Sequence, residues 1–234
     1  MAVEILSGAE LVARLGPHPA RRWGLDLGTD AGLGRWLVAA CLLGPRGDED
    51  AAGAARSTLA ERGLDSPDGL ASAGPKPVAD ALGAARYPKP EITAARLVRA
   101  SSNLLTRHGG SLGRLAAAAD GLDELGAAIV ALAPGIGSAT AAEFLRPLRE
   151  RFSAARDLPL AAAARAAAVH LGWLGESDDV EGDPGVLRAA LAREEPAPAL
   201  ADVEAALTRL GRRACLRNTP QRCPLGPDGP ALQA

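Results

Sequence analysis

Residues 132–141 read "LAPGIGSATA". Pro134, Gly135 and Gly137 interrupt two stretches with helical spacing, and small or hydroxyl residues open the second stretch. Leu122, Leu125, Ile129 and Leu132 mark one helix face before the interruption; Ala141, Phe144, Leu145 and Leu148 mark another after it. The spacing predicts two helices joined by a tight turn. Glycine at 135 and 137 permits φ > 0 and lets a ligand approach the backbone closely. Outward N–H groups of such a turn meet the first unsatisfied N–H groups of the next helix, from Ser138 onward. Together they make an anion site at a positive helix end. Ser138 or Thr140 adds a hydroxyl. The plain alternative is a Pro-Gly connection that only joins antiparallel helices.

Composition sets the fold class. The chain has 234 residues, enough for one large domain or two small ones. Hydrophobic residues make up 47% and aromatics 3%, so the core is built from Leu, Val and much Ala. Ala favours helix, and the residues that favour strands are scarce, so an all-α protein is expected. The formal net charge of −2 argues against a broadly basic surface but leaves room for a local basic patch. No long apolar run predicts a membrane span. The opening "MAVEILSGAE" lacks the basic start of a signal peptide. Cys41, Cys215 and Cys223 are too few for a disulfide framework, which points to a reducing, cytoplasmic compartment. His18, His108 and His170 are scattered and suggest no metal centre, and no Ser-His-Asp set has a recognisable spacing.

Along the chain, residues 1–15 read as a short amphipathic helix and 16–32 as loop. "LGRWLVAACLL" reads as a buried helix, 50–62 as an Ala-rich one, and 92–107 as a clearer one. Ser66 or Asp68 is a candidate N-cap, and Gly109 or Gly110 suits a helix end. Pro147 predicts a kink or early stop in the helix after the hairpin. Further helices are expected at 160–171 and 200–210, joined by the acidic, turn-rich "GESDDVEGDPG". About ten short helices with short turns imply an irregular α-domain.

The hairpin resembles the helix–hairpin–helix of the endonuclease III-like DNA glycosylase superfamily (HhH-GPD), whose hairpin reads like LPGVGxxTA. "VAACLLGPRGDED" looks like the family's LLSxQTxD segment, and "ARYPKPEITAARLVRASSNLLTRHGGSL" like its GxYxxKAxxI helix followed by H-G-G. "LGRRACLRNTPQRC" resembles the Gly-Arg-x-x-Cys entry to an iron–sulfur loop. The match runs in order across residues 34–225. It implies a two-lobed, all-α fold, with a helical barrel lobe at 34–150 and a second lobe from 1–33 plus 151–234. It also implies duplex DNA, damaged or mismatched, as the partner of a monomer. A base would be flipped out for excision, since the glycosidic bond is hidden in the stack.

The resemblance assigns roles residue by residue. Pro134, Gly135, Ile136, Gly137, Ser138 and Thr140 would hold DNA backbone, with Arg46, Lys89 and Arg213 as further contacts. Arg46 stands where the family has a wedging Gln; an ordinary turn Arg is the alternative. Lys89 aligns with a family Lys at the barrel edge, and a surface Lys is its alternative. Arg213 belongs to a basic cluster with Arg209, Arg212, Arg217 and Arg222, which suits either phosphate or a helix C-terminus. Lyase members carry a nucleophilic Lys two residues after the second hairpin glycine. Ala139 stands there, so Schiff-base chemistry is not expected. The family's catalytic Asp aligns with Asp157, which would assist hydrolysis of the N-glycosidic bond. Matching "HLGWL" instead puts Ala161 at that position, and Asp157 would then be a loop acid or helix cap. A [4Fe–4S] cluster needs four thiolates, and the tail supplies Cys215 and Cys223, so no cluster is expected. The functional expectation is a monofunctional glycosylase-like protein. The alternatives are a catalytically degenerate DNA-binding relative and a helical scaffold for protein contacts.

Overall fold

The computed structural model describes residues 6–44, 48–175, 182–217 and 219–225. Among them the regular structure is helical throughout, with thirteen α-helices, four short 3-10 turns and no strand. The protein is all-α. In chain order the helices are α1 (Gly8–Leu15), α2 (Pro19–Arg22), α3 (Asp30–Leu43), α4 (Glu49–Glu61), α5 (Pro67–Ala73) and α6 (Pro75–Ala84). Then follow α7 (Pro90–His108), α8 (Leu112–Ala117), α9 (Leu122–Val130), α10 (Ser138–Leu145), α11 (Ala162–His170), α12 (Asp183–Leu191) and α13 (Leu200–Arg213).

Local chemistry explains many of the boundaries. Ser7 and Glu10 form a reciprocal capping box on α1. Thr29 caps α3, and Ser66 caps α5 with Pro67 at its first position. Gly109 ends α7 in the left-handed conformation. Pro147 acts as expected: α10 stops at Leu145 and a 3-10 turn continues over Arg146–Leu148. Four helices depart from the sequence expectation: α6 and α8, which no stretch marked, and α2 and α12. Residues 16–32 were expected as loop, yet Pro19–Arg22 closes one helical turn there. Residues 183–191 form α12, which begins inside the acidic connection with Pro184 in its first turn. A Pro-Gly pair reads as a turn, but a proline at the first helical position is equally a start signal.

The chain divides into two compact units, one of Met1–Arg22 with Asp157–Ala234 and one of Trp23–Arg156. In the second, α3 is the central element; Leu33, Trp36, Leu37 and Leu42 are each 2% exposed or less. It packs against α4, α5, α7, α8 and α10. Trp36 Nε1 donates to the Phe144 carbonyl at 2.9 Å, which ties α10 to the core helix. The turn after α9 is held from the side, because Asn103 Nδ2 of α7 donates to the Leu132 carbonyl at 2.8 Å.

The first unit is built on α13, against which α1, α11 and α12 pack. Leu11, Ala164, Leu187, Val203, Leu207 and Leu210 share one apolar cluster. Gly211 lets α13 approach the α11 backbone so closely that a Cβ there would collide with the Ala163 carbonyl. Polar side chains fasten the connections. Asp202 accepts from His18 N at 2.9 Å and Arg21 Nη1 at 2.6 Å, and Glu194 accepts from Gly8 N at 2.7 Å. Arg209 donates to the carbonyls of Leu15, Gly16 and Pro17.

Candidate nucleic-acid backbone site

The hairpin is exposed at Pro134, Gly135, Gly137, Ser138 and Ala139, while Ile136 is 3% exposed and anchors the turn in the core. Gly135 has φ +86°, a conformation that costs L-residues energy, so glycine is required here. Ile136 N closes the turn onto the Ala133 carbonyl at 3.1 Å. Gly137 is extended (φ −106°, ψ 174°) and serves as the N-cap of α10 without a side-chain cap. The first backbone bond into the helix is Ala141 N to Gly137 O, at 3.0 Å. The N–H groups of Gly137, Ser138, Ala139 and Thr140 therefore meet no acceptor among the described residues. They gather at the positive end of α10, where an anion is stabilised.

Gly137 differs from Gly135 in what demands it. Its backbone suits any residue, and a Cβ there would meet nothing within 4 Å. Neither strain nor packing calls for glycine; the missing side chain leaves the amide cluster open to approach. Of the two hydroxyl residues, Ser138 faces solvent, whereas Thr140 is 5% exposed.

One cation escaped the sequence reading. Arg96 of α7 lies against Gly135, with Nε and Nη2 at 2.8 and 2.9 Å from where a Cβ would stand. Its spacing from Asn103 puts both on one face of α7, the face that meets the hairpin. Apolar periodicity over 92–107 marks the packed side of the helix and leaves Arg96 unmarked. A helical-wheel reading of the polar face holds the signal that was missed.

The other predicted residues fall elsewhere. Lys89 is exposed, left-handed (φ 51°, ψ 56°) and N-terminal to α7, about 10 Å along the helix from Arg96 at 1.5 Å per residue. Arg46 lies outside the described residues. Arg213 is exposed in the last turn of α13, while Arg209 is committed to the three carbonyls above. Asp157 is exposed in a turn, and its carboxylate makes no hydrogen bond among the described residues. It does not cap α11. That helix begins after Ala161, whose N–H donates to the buried Glu204 carboxylate at 2.8 Å. A residue forty-three positions away supplies the acid that a local reading sought in Asp157.

The three cysteines are free thiols. Cys41 is buried in α3, and desolvation pushes its thiol up to about 12. Cys215 and Cys223 both pack on the α13 cluster, half-buried. Burial raises the Cys215 thiol, and the neighbouring Cys223 raises it further. No group of three or more metal-ligating side chains comes together among the described residues. No helix among them is long and apolar enough to cross a membrane. The chain matches no family model, no curated protein and no solved structure.

Proposed function

We propose that the protein binds duplex DNA by its backbone through the 134–140 hairpin and acts as a monofunctional, glycosylase-like base-excision protein without lyase activity. The observation that carries the binding reading is the run of four N–H groups at Gly137–Thr140 without an acceptor among the described residues, left open by Gly137. Main-chain donors at a helix start take phosphate without reading sequence, as a protein that inspects many bases requires. The likeness to endonuclease III-like hairpins points to the same ligand. In this reading the Asp157 carboxylate, exposed and without a hydrogen-bond partner among the described residues, stabilises developing positive charge on the sugar or orients water as the glycosidic bond breaks. Ala139 offers no amine for covalent attack.

A specific observation favours a second reading, a DNA-binding protein that has lost the chemistry. Nothing among the described residues fixes the orientation of the Asp157 carboxylate, and catalytic groups depend on such fixing.

Duplexes carrying uracil, alkylated purines, oxidised guanine or mismatches separate the readings. Base release that vanishes in Asp157→Asn supports excision. Salt-sensitive binding without release supports the second reading. Gly137→Val is expected to keep the fold, since its Cβ meets open space, and to weaken DNA binding by about tenfold or more. Unchanged binding in that variant would remove the hairpin from the function.

A further inference from the structure

Left-handed backbone falls almost entirely to glycine in this chain. Among the described residues, two others adopt it: Arg86 (φ 55°) and Lys89 (φ 51°). Both are exposed cations, and both stand where the chain elsewhere uses a better-suited residue. Arg86 ends α6: its N–H donates to the Gly83 carbonyl and that of Tyr87 to the Leu82 carbonyl, each at 2.9 Å. The same pair of bonds ends α4 at Gly63 and α11 at Gly172, the residue such a turn favours. Lys89 is the N-cap of α7 and makes no side-chain cap bond, whereas Ser7, Thr29, Asp48, Ser66 and Ser111 cap their helices through side-chain oxygens. A cation at that end also opposes the helix dipole. Three local preferences are thus set aside to place two positive charges in one turn, and costs of this kind gather where function needs them. Tyr87, between the two, donates to the Leu42 carbonyl of α3 and holds the turn to the core.

From this turn, Lys89, Ile92, Arg96, Arg99 and Asn103 follow one row along α7 at helical spacing. No carboxylate falls in the row, although acids outnumber bases in the chain by 28 to 26. Ile92 is 60% exposed and Arg99 is exposed, so the row faces solvent on one side, while Arg96 and Asn103 meet the hairpin on the other. The side chains of Arg86, Lys89 and Arg99 form no ion pair among the described residues. Two carboxylates lie nearby. Glu91 is on another face of α7. Asp48 comes within electrostatic reach of Tyr87, but its Oδ1 accepts from Ala51 N at 3.0 Å and its charge is answered by the start of α4.

We propose that the Arg86–Lys89 turn and the α7 row it heads, through Arg99, form a second DNA-docking surface that carries the phosphates of one strand away from the hairpin. This inference rests on the reading of the protein as a binder of duplex backbone and adds to it a surface on α6 and α7. Charge complementarity selects the partner: a carboxylate-free row of cations suits a line of phosphates and reads no base. From Lys89 to Arg99 the row runs about 15 Å at 1.5 Å per residue, the length of about four phosphates on one strand at 3.4 Å of rise each. Arg96, lying against Gly135, joins the row to the hairpin.

The test pairs thermal melts with fluorescence anisotropy of the full chain and a short labelled duplex, from about 50 to about 200 mM KCl. Arg86→Gly and Lys89→Gly are each expected to raise Tm by about 2–4 °C, because glycine accepts the left-handed backbone. Each is also expected to weaken binding about threefold or more and to lower the salt slope by about one, equally for unrelated sequences. A residue kept for structure alone would not move the two readouts in opposite directions. Arg99→Met, in regular helix, should weaken binding with Tm unchanged, and Arg62→Met, exposed at the end of α4, should change neither. If the Arg86, Lys89 and Arg99 variants bind as wild type while Gly137→Val does not, the surface is overturned and the hairpin reading stands. If they weaken binding and Gly137→Val leaves it unchanged, the surface stands and the hairpin reading falls. If no variant changes binding, or if wild type binds vesicles of anionic lipid and no duplex, both fall. Should a glycine variant melt below wild type, Arg86→Gln and Lys89→Gln remove the charge alone and supply the binding readout.

Discussion

Ala139 sits exposed on the first turn of α10, a methyl group where a nucleophilic amine would be needed for strand cleavage. A Schiff base with an opened sugar requires a lysine side chain. Borohydride treatment of wild-type protein with abasic-site duplex should therefore leave no covalent complex. Ala139→Lys tests the register of the hairpin, because an exposed helix position accepts lysine readily. If the alignment holds, this variant gains a trapped complex; a variant that binds DNA and traps nothing would show that the amine is not presented to the sugar. A second residue, Cys41, gives a prediction about pH. Its thiol is raised from 9.0 to about 12 in the folded chain. The unfolded chain releases that proton first, so it binds fewer protons than the native state between those values. Stability then falls as pH rises from about 9 towards 12, and Cys41→Ala should flatten that fall in thermal melts. In the native state near neutral pH, Cys41 should resist alkylation while Cys215 and Cys223 react.

At the scale of elements, the hairpin depends on two tethers: Trp36 to the α10 carbonyl of Phe144, and Asn103 to the carbonyl of Leu132. Trp36→Phe keeps most of the ring volume and leaves a buried carbonyl without its donor. Urea denaturation should show a loss of about 1–3 kcal/mol. Unchanged stability would mean that α10 is held by packing alone. Helices announced by local chemistry were legible in the sequence: Ser66 before Pro67, Gly109 after α7, and the apolar rows of α3, α7 and α13. The hairpin was legible for the same reason, since Pro-Gly-x-Gly restricts the backbone by itself. What depends on distant partners was not. The N-terminus of α11 is answered by Glu204 of α13, and Arg96 meets Gly135 only once α7 and the turn are folded together. Short α12 was hidden because charge and glycine around Pro184 read as connection, while its buried side, Leu187 and Leu191, offers only two leucines.

For the whole molecule, the cysteine inventory bears on what the purified protein looks like. Two half-buried thiols near the end of α13 fall short of the four that a [4Fe–4S] cluster needs. The protein should be colourless; a brown preparation absorbing near about 400 nm would contradict this. The other consequence at this scale concerns the order of synthesis. Glu194, Asp202 and Arg209 hold the first twenty-odd residues, bridging 181 to 194 positions of chain. On the ribosome, α1 leaves the tunnel long before α13 exists. Its apolar row, Leu11 with Val12 and Leu15, must wait in the open while the entire 23–156 unit is made and can fold. The nascent chain thus carries an uncovered apolar row through the synthesis of the 23–156 unit, an opening for holdase chaperones that closes only when α13 arrives.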